Sequence, residues 1–410
     1  MTTHHPQHVS APGMGRDGAT TVTLVVLCQL VHGITFSAIP LLLPLIREDL
    51  HINFAQAGLL SAVATFSYAL GQIPAGYLSD RFGPRRLYCI GLTGWSAFSL
   101  VFGLVHAFWL AVIIQLLAGA FRALLFAPAL SLLTSWFPRE RRATAMSLYM
   151  VGGFAGTIVI SLGGPLLTAL YGWRATFIFF AALGLVSAAI YRRYARENPH
   201  TPAAQPLVLA DVARLFRLPI MWTCNGLQFV RFAVVTAFMF WLPSLLMVDR
   251  GLSAQSTGLI VAMSAALTAP SNLLGSYVSD RLGNPPLVIG GALLVLACTS
   301  TLLVVVESMP LLLFIIAVNS IFLQFYFGPL FIVPMEILGT RAAGTATGIS
   351  NLFANIGGFL AAWTLGVVKD QSGDFTWGFI GISVICLIGV ALAVVLARMR
   401  TRALAAQHQG

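Results

Sequence analysis

Two arginines lie inside long apolar stretches of this 410-residue chain, Arg122 in one and Arg231 in another. An ionised side chain there is costly unless it faces a wet cavity and finds a partner. None of the 13 acidic residues reaches the middle of such a stretch, and Glu336 lies at the end of one. A cavity containing both arginines would be net positive, and a guanidinium matches a carboxylate or phosphate. We therefore predict that both bind a small organic anion; the alternative is that they bond carbonyls, hydroxyls or water and only hold helices together.

Polar and aromatic side chains recur at helical spacing near these arginines and predict the rest of the site. Gln228 lies one turn before Arg231, and Asn351 and Asn355 are four residues apart in a later stretch. Their amides would complete the shell around a carboxylate, or alternatively would tie helices together. An aromatic stripe such as the one containing Tyr326 shapes an apolar side or is simply packing. The other residues on these faces are Gln115, Gly119, Phe126, Phe238, Asn319, Phe322 and Thr347.

His32 lies midway along the first apolar stretch, one turn after Gln29. No other side chain at that depth titrates near neutral pH, so we predict that His32 carries a coupling proton or donates to the anion. The alternative is a hydrogen-bonded core histidine. Because no carboxylate lies at this depth, proton coupling depends on His32 or on the substrate's own protonation.

Helices that cross a membrane are needed to position these residues, and the composition predicts them. Hydrophobic residues make up 58% of the chain, the mean hydropathy is +0.87, and 9% of residues are charged, against about 25% in soluble domains. Apolar stretches of about 20 residues, enough to cross about 30 Å of hydrocarbon, recur from end to end. We predict an all-α polytopic membrane protein with twelve transmembrane helices in two pseudo-symmetric six-helix bundles.

The predicted spans are 21–45, 54–78, 86–106, 108–135, 143–169, 173–192, 219–246, 254–278, 286–306, 310–336, 343–368 and 375–397. They divide the chain into a disordered cytoplasmic tail (1–20), an N-terminal bundle (21–192), a cytoplasmic linker (193–218), a C-terminal bundle (219–397) and a second tail (398–410). With both ends cytoplasmic, cytoplasmic segments hold 17 of the 23 Lys and Arg residues and external loops hold four. This positive-inside bias predicts that orientation in the cell (inner) membrane.

Several other function classes are excluded by what the sequence lacks. The formal charge of +10 does not indicate nucleic-acid binding, because the basic residues cluster between spans. No Ser/His/Asp set, metal-spaced His/Cys cluster or phosphate loop is present, so we predict no enzyme, no cofactor and no metal site. The cysteines all fall in apolar stretches and are predicted to be small core residues: Cys28, Cys89, Cys224, Cys298 and Cys386.

One polar turn occurs twice, 200 residues apart. Gly76-Tyr77-Leu78-Ser79-Asp80-Arg81-Phe82-Gly83 follows the second span, and Ser276-Tyr277-Val278-Ser279-Asp280-Arg281-Leu282-Gly283 follows the eighth. Duplicated six-helix halves are a transporter architecture. The first copy continues to Arg85-Arg86 and resembles the signature loop of the major facilitator superfamily. The second copy ends in Asn284-Pro285-Pro286, without the arginines.

This resemblance implies secondary active transport by alternating access, with the two bundles rocking about a site near the bilayer midplane, and a protein that works as a monomer. Asp80 would lie near the start of the eleventh span and help to hold the outward-facing state, since helix N-termini stabilise anions. The alternative is that Asp80 and Arg81 only solvate a tight turn. The residues that the resemblance implies as a conformational gate are Gly76, Asp80, Arg81, Gly83, Arg85, Asp280, Arg281 and Gly283.

Weaker similarities bear on the cargo. Gly172-Trp173-Arg174 and the glycines of the eleventh span are similar to segments of the organic anion symporter branches, which implies symport of an anion with protons. The fifth span's Gly163-Gly164-Pro165 partly resembles the motif of antiporter branches, so the alternative is a proton-driven exporter of hydrophobic or cationic drug-like compounds. Such exporters usually need a membrane acid. A non-transporting sensor would need a soluble signalling domain, and the tails are too short for one.

Overall fold

The computed structural model describes residues 15–137, 142–198, 218–330 and 340–408. This part of the chain contains eleven α-helices of 15 residues or more. They are α1 Arg16–Asp49, α2 Phe54–Phe82, α3 Pro84–Phe102, α4 Phe108–Ser135, α5 Arg142–Tyr194, α6 Pro219–Ser244, α7 Ala254–Leu282, α8 Pro285–Val305, α9 Met309–Leu323, α10 Thr340–Ser372 and α11 Thr376–His408. A π-helical turn, Leu245–Asp249, extends α6.

Helix α5 is long enough to cross a membrane twice and is broken near its middle. It has 53 residues, whereas about 20 cross the hydrocarbon once. The break is at Gly172, whose φ of +80° is a conformation that glycine adopts without strain. With the two arms of α5 counted separately, the described part of the chain contains twelve long helices, the number predicted. Ten elements, α5 counted once and α3 left out, are long and apolar enough to be membrane spans.

Several helix ends differ from the predicted boundaries. Helix α1 begins at Arg16 and α11 continues to His408, so part of each predicted tail is helical. Residues 16–20 and 398–408 contain no proline, so nothing stops either helix at the edge of its apolar run. Helix α9 ends at Leu323 and is followed by a turn at 324–326, where a continuous span to 336 was predicted. Residues 331–336 of that span lie outside the described part.

The two halves pack against each other mainly through three helix pairs, α2 with α10, α5 with α7, and α1 with α6. Small residues allow this close approach. A Cβ added to Gly366 of α10 would lie 2.3 Å from the backbone oxygen of Phe54, and one added to Gly58 of α2 would lie 2.3 Å from that of Ala362. The halves therefore touch backbone to backbone along α2 and α10.

A carboxylate joins the two halves at the end of the molecule where α1 ends and α2 begins, here called the α1–α2 end. Asp370 of α10 accepts hydrogen bonds from the backbone N–H groups of Phe54 (2.9 Å) and Ala55 (2.7 Å), the first residues of α2. The adjacent Lys369 forms an ion pair with Asp249 and lies 5.4 Å from the centre of the Phe54 ring. The bonds of Asp370 thus join the two halves at the α1–α2 end.

Candidate functional site

A cavity of about 320 Å³ lies between the two halves. Helices α1 to α5 line it on one side; α6, α7 and Gln324 line it on the other. Among the described lining residues, Arg122 is the one Lys or Arg, and none is Asp or Glu. The described wall therefore carries a net positive charge with no protein counter-ion.

Arg122 of α4 presents its guanidinium to this cavity from between two aromatic rings. Its Cζ lies 4.2 Å from the centre of the Phe36 ring and 4.3 Å from that of Tyr68. No residue of the described ranges accepts a hydrogen bond from it or forms an ion pair with it. Aromatic faces stabilise the cation without using its five N–H donors. Those donors remain available for an anion in the cavity.

His32 and Gln29 of α1 add polar atoms that lack a partner in the same wall. Both ring nitrogens of His32 and the Oε1 of Gln29 are buried and bonded to no described group. The imidazole packs against rings instead, 5.1 Å from Trp95 and 6.1 Å from Phe36 between centroids. The alternative for His32 was a core histidine held by hydrogen bonds. No described residue forms such a bond with it. Buried polar groups without a partner are costly and require an explanation, such as a ligand.

Arg231 of α6 has a different environment. It is 4% exposed, its Nε donates to the Oε1 of Gln228 at 2.8 Å, and its Cζ lies 4.8 Å from the centre of the Phe327 ring. The neighbouring Phe232 lines the cavity, whereas Arg231 and Gln228 do not. The structure thus does not bring the two predicted anion ligands into one cavity wall.

The other described residues predicted for the second half also lie outside the cavity lining. Asn351 donates its Nδ2 to the Oε1 of Gln72, across the interface between halves, and Asn355 donates to the backbone oxygen of Asn351 at 2.7 Å. Tyr326 is fully buried, and its hydroxyl has no partner among the described residues. In this conformation Asn351 ties α10 to α2, the interhelical role that was the alternative for these amides.

The first polar turn is stabilised within its own half. Gly83 has φ +84°, and its N–H donates to the backbone oxygen of Ser79 at 3.0 Å. The carboxylate of Glu197 accepts from the N–H of Arg85 at 3.0 Å, and the Arg85 Nη2 donates to the backbone oxygen of Arg192 at 2.7 Å. A Cβ at Gly83 would lie 2.7 Å from the Glu197 Oε1, so both backbone conformation and space favour glycine here.

The remaining gate residues are only partly described. Arg81 is exposed with its Cζ 5.5 Å from the ring of its neighbour Phe82, and Asp280 and Arg281 are exposed. Gly283 has φ +60° and its carbonyl accepts from Arg400 at 3.2 Å. The predicted contact between Asp80 and the start of the eleventh span lies outside the described side chains, which exclude Gly76, Asp80 and 340–347.

The sequence-based prediction did not include the aromatic rings beside Arg122 or the bonds of Asp370 to α2. Phe36 lies one turn after His32, so its spacing placed it on the same helix face, but its contact with Arg122 joins two different helices. Tyr68 carried no such signal. Asp370, two residues after the predicted span 343–368, was given no role, although it accepts hydrogen bonds at the start of α2. From the sequence alone, a carboxylate near the end of one span cannot be assigned to the N-terminus of any particular helix.

Comparisons with known proteins agree with this architecture. The family model for the Major Facilitator Superfamily matches residues 25–362. A hexuronate transporter of Bacillus subtilis (strain 168) is 23% identical over 387 residues, which cover 89% of this chain and 91% of that protein. A probable galactarate/D-glucarate transporter, GudP, of Escherichia coli (strain K12) is 26% identical over 396 residues, covering 85% and 86%.

Among solved structures, a bacterial homologue of the human lysosomal transporter Spinster, in an inward-facing and unoccupied conformation, superposes with a TM-score of 0.82. It is 19% identical and covers 95% of this chain and 98% of that one. At this identity the likeness shows the fold alone, and that fold is the one predicted from the repeated turns.

Proposed function

The chain belongs to the Major Facilitator Superfamily and is a multi-pass membrane transporter, and we propose that its substrate is a small organic anion, a carboxylate, carried by alternating access with protons. The family consists of transporters, so no catalytic step is part of this proposal. The two halves rock about the central cavity and expose it to one side of the membrane at a time.

The environment of Arg122 is the observation that carries the proposal. Its guanidinium faces the cavity, is held by the rings of Phe36 and Tyr68, and has no acceptor among the described residues. A charged donor in this position favours a ligand that supplies two acceptor oxygens in one plane, as a carboxylate does. The named substrates of the two relatives above, hexuronate and galactarate/D-glucarate, are carboxylates as well.

His32 supports coupling to protons. It lies in the same wall as Arg122, and its ring nitrogens have no described partner. A proton on His32 would add a second positive charge beside the anion, so the protonated imidazole and the bound anion would stabilise each other. Anion and proton would therefore bind together and cross in the same direction, which is symport.

A cationic substrate, one of the two kinds in the exporter alternative, lacks a matching observation. A cationic compound needs a carboxylate in the cavity, because a buried cation without a counter-ion is costly. The described lining residues include none.

The test is uptake of radiolabelled mono- and dicarboxylates into proteoliposomes that contain the full chain, with and without a pH gradient. We expect uptake of at least one carboxylate above protein-free liposomes, stimulated when the substrate side is acidic. Arg122→Ala should abolish that uptake, and Arg193→Ala, which removes an exposed arginine outside the cavity, should not. Equal uptake by Arg122→Ala and the unmodified protein would contradict the proposal.

A further inference from the structure

Helices α1 and α6 line the cavity at the same spacing, one in each half. Six residues of α6 in the wall lie 203 positions after six residues of α1 in the wall. The spacing within each set, three, four, seven, eight and eleven residues from the first, defines one helix face. The pairs are Gln29 and Phe232, His32 and Val235, Gly33 and Thr236, Phe36 and Met239, Ser37 and Phe240, and Pro40 and Pro243.

The chemistry of the two faces differs although their spacing is shared. Three polar positions of α1 correspond to apolar residues of α6: Phe232, Val235 and Phe240. The reverse change occurs once, at Thr236. The hydrogen-bonding groups of the cavity therefore collect on the first-half side, together with Arg122 on α4.

The second-half wall has little to offer a hydroxyl or a second charge. Helix α7 adds Val261 and Ala265, and Gln324 joins Thr236 as the polar residues of this side among those described. Among the described residues of this side, a hydroxyl turned toward α6 could bond only to Thr236 or Gln324, and a second carboxylate would meet no second cation of the described lining. An apolar group in the same place would bury its surface favourably.

We infer that the substrate is a monocarboxylate with an apolar body, its carboxylate at Arg122 and its body against α6. This inference rests on the proposed function and narrows it. It separates this chain from relatives named for sugar acids, whose hydroxyl groups need polar partners around the whole molecule. The cavity volume of about 320 Å³ is at the lower end of the roughly 300–1,000 Å³ of small-molecule sites, which suits a compact acid.

The test compares uptake of radiolabelled 3-phenylpropionate, D-galactonate and D-glucarate by proteoliposomes at equal, low concentrations and neutral pH. We expect uptake of 3-phenylpropionate, corrected for protein-free liposomes, to exceed that of either sugar acid at least tenfold. Thermal stabilisation of the detergent-purified protein by each acid should follow the same order, and permeation does not affect that measurement. Equal or better transport of D-galactonate or D-glucarate would overturn the inference.

The outcome also separates the inference from the proposed function. If D-galactonate is preferred and Arg122→Ala stops its uptake, the proposed anion site at Arg122 is supported and the inference of an apolar substrate body is wrong. If no carboxylate is taken up and Arg122→Ala changes no binding signal, both are wrong.

A substitution in the α6 face tests the wall directly. Met239→Gln adds an amide at nearly constant size and should raise the ratio of D-galactonate to 3-phenylpropionate uptake at least fivefold. Met239→Leu adds no polar group and should leave the ratio within twofold of the unmodified protein. Val235→Thr, which is nearly isosteric, serves if Met239→Gln does not fold. An unchanged ratio in a folded polar variant would contradict the inference.

Discussion

Arg122 and Arg231 occupy the middle of α4 and α6, one in each half, and both lie over aromatic rings, yet they differ in their position relative to the cavity. Arg122 borders the cavity and lies between two ring faces, and no described residue accepts a hydrogen bond from its N–H donors. Arg231 is buried outside the cavity lining and bonded to Gln228. Depth within an apolar helix therefore does not predict which arginine borders the cavity. What distinguishes the two is that Arg122 lines the cavity, whereas Arg231 lies outside its lining and donates its Nε–H to a neighbouring side chain.

Replacing Arg122 should have the largest effect on binding and little effect on stability. In Arg122→Gln a charge-assisted pair of hydrogen bonds to the anion is lost, worth about 3–6 kcal/mol together at about 1.5–3 kcal/mol each. We expect affinity for the transported acid to fall at least about 100-fold. Isothermal titration on the purified protein measures this, and its melting temperature should stay within a few degrees. Unchanged affinity would place the anion elsewhere.

Replacing Arg231 should reverse that pattern. Arg231→Ala leaves the buried Gln228 without its partner and removes the contacts with Phe327, and the expected loss of stability is about 3 kcal/mol. Thermal unfolding in detergent measures it. Affinity per folded molecule should change less than threefold. A large loss of affinity in a stable Arg231→Ala protein would make Arg231 a second ligand and remove the contrast.

His32 should affect coupling more than binding. In His32→Gln the titrating group is gone while a polar side chain of similar size remains. An acidic substrate side should stimulate uptake several-fold in the unmodified protein and have no effect in His32→Gln. Uptake driven by the substrate gradient alone should persist. If His32→Gln keeps the full response to pH, the proton is carried by the substrate or by another group.

The rings beside Arg122 should have the smallest effect. Phe36→Leu removes one cation–π contact worth about 1 kcal/mol, so affinity should fall about fivefold. Tyr68→Phe keeps its ring and is the matched control, with an expected change below twofold. Binding measurements on both variants check this. Equal losses would assign the effect to the Tyr68 hydroxyl or to packing.

Most of the fold could be predicted from the sequence, because its signals are local. Apolar length sets each crossing, and the repeated turns around Gly83 and Gly283 identify the halves. The ends of three helices differ from the prediction, because hydropathy alone does not determine where a helix begins or ends. Helices α1 and α11 continue past their apolar runs because no residue there breaks them, and α9 stops at Leu323 inside an apolar run.

The candidate site was predictable only in part, because it depends on contacts between distant residues. The charge of Arg122 and the polarity of His32 and Gln29 were visible in the sequence. Whether a donor is already used was not, since Gln228 lies one turn from Arg231 and could equally have joined it at an anion. The sequence also gave no indication that Asn351 would reach Gln72 on the other half.

The carboxylate of Asp370 has a consequence for measurements made from the two faces of the membrane. In the alternating access proposed above, substrate that enters at the α1–α2 end must wait for a minor state in which the bonds of Asp370 to Phe54 and Ala55 are broken. Apparent affinity is reduced by the fraction of molecules in that state. Two charge-assisted bonds, about 3 kcal/mol together, correspond to roughly a 100-fold reduction. Entry from the opposite end does not require breaking these bonds. The Michaelis constant should thus be higher for substrate added at the α1–α2 end than for substrate added at the opposite end. Asp370→Asn should reduce the difference between the two constants.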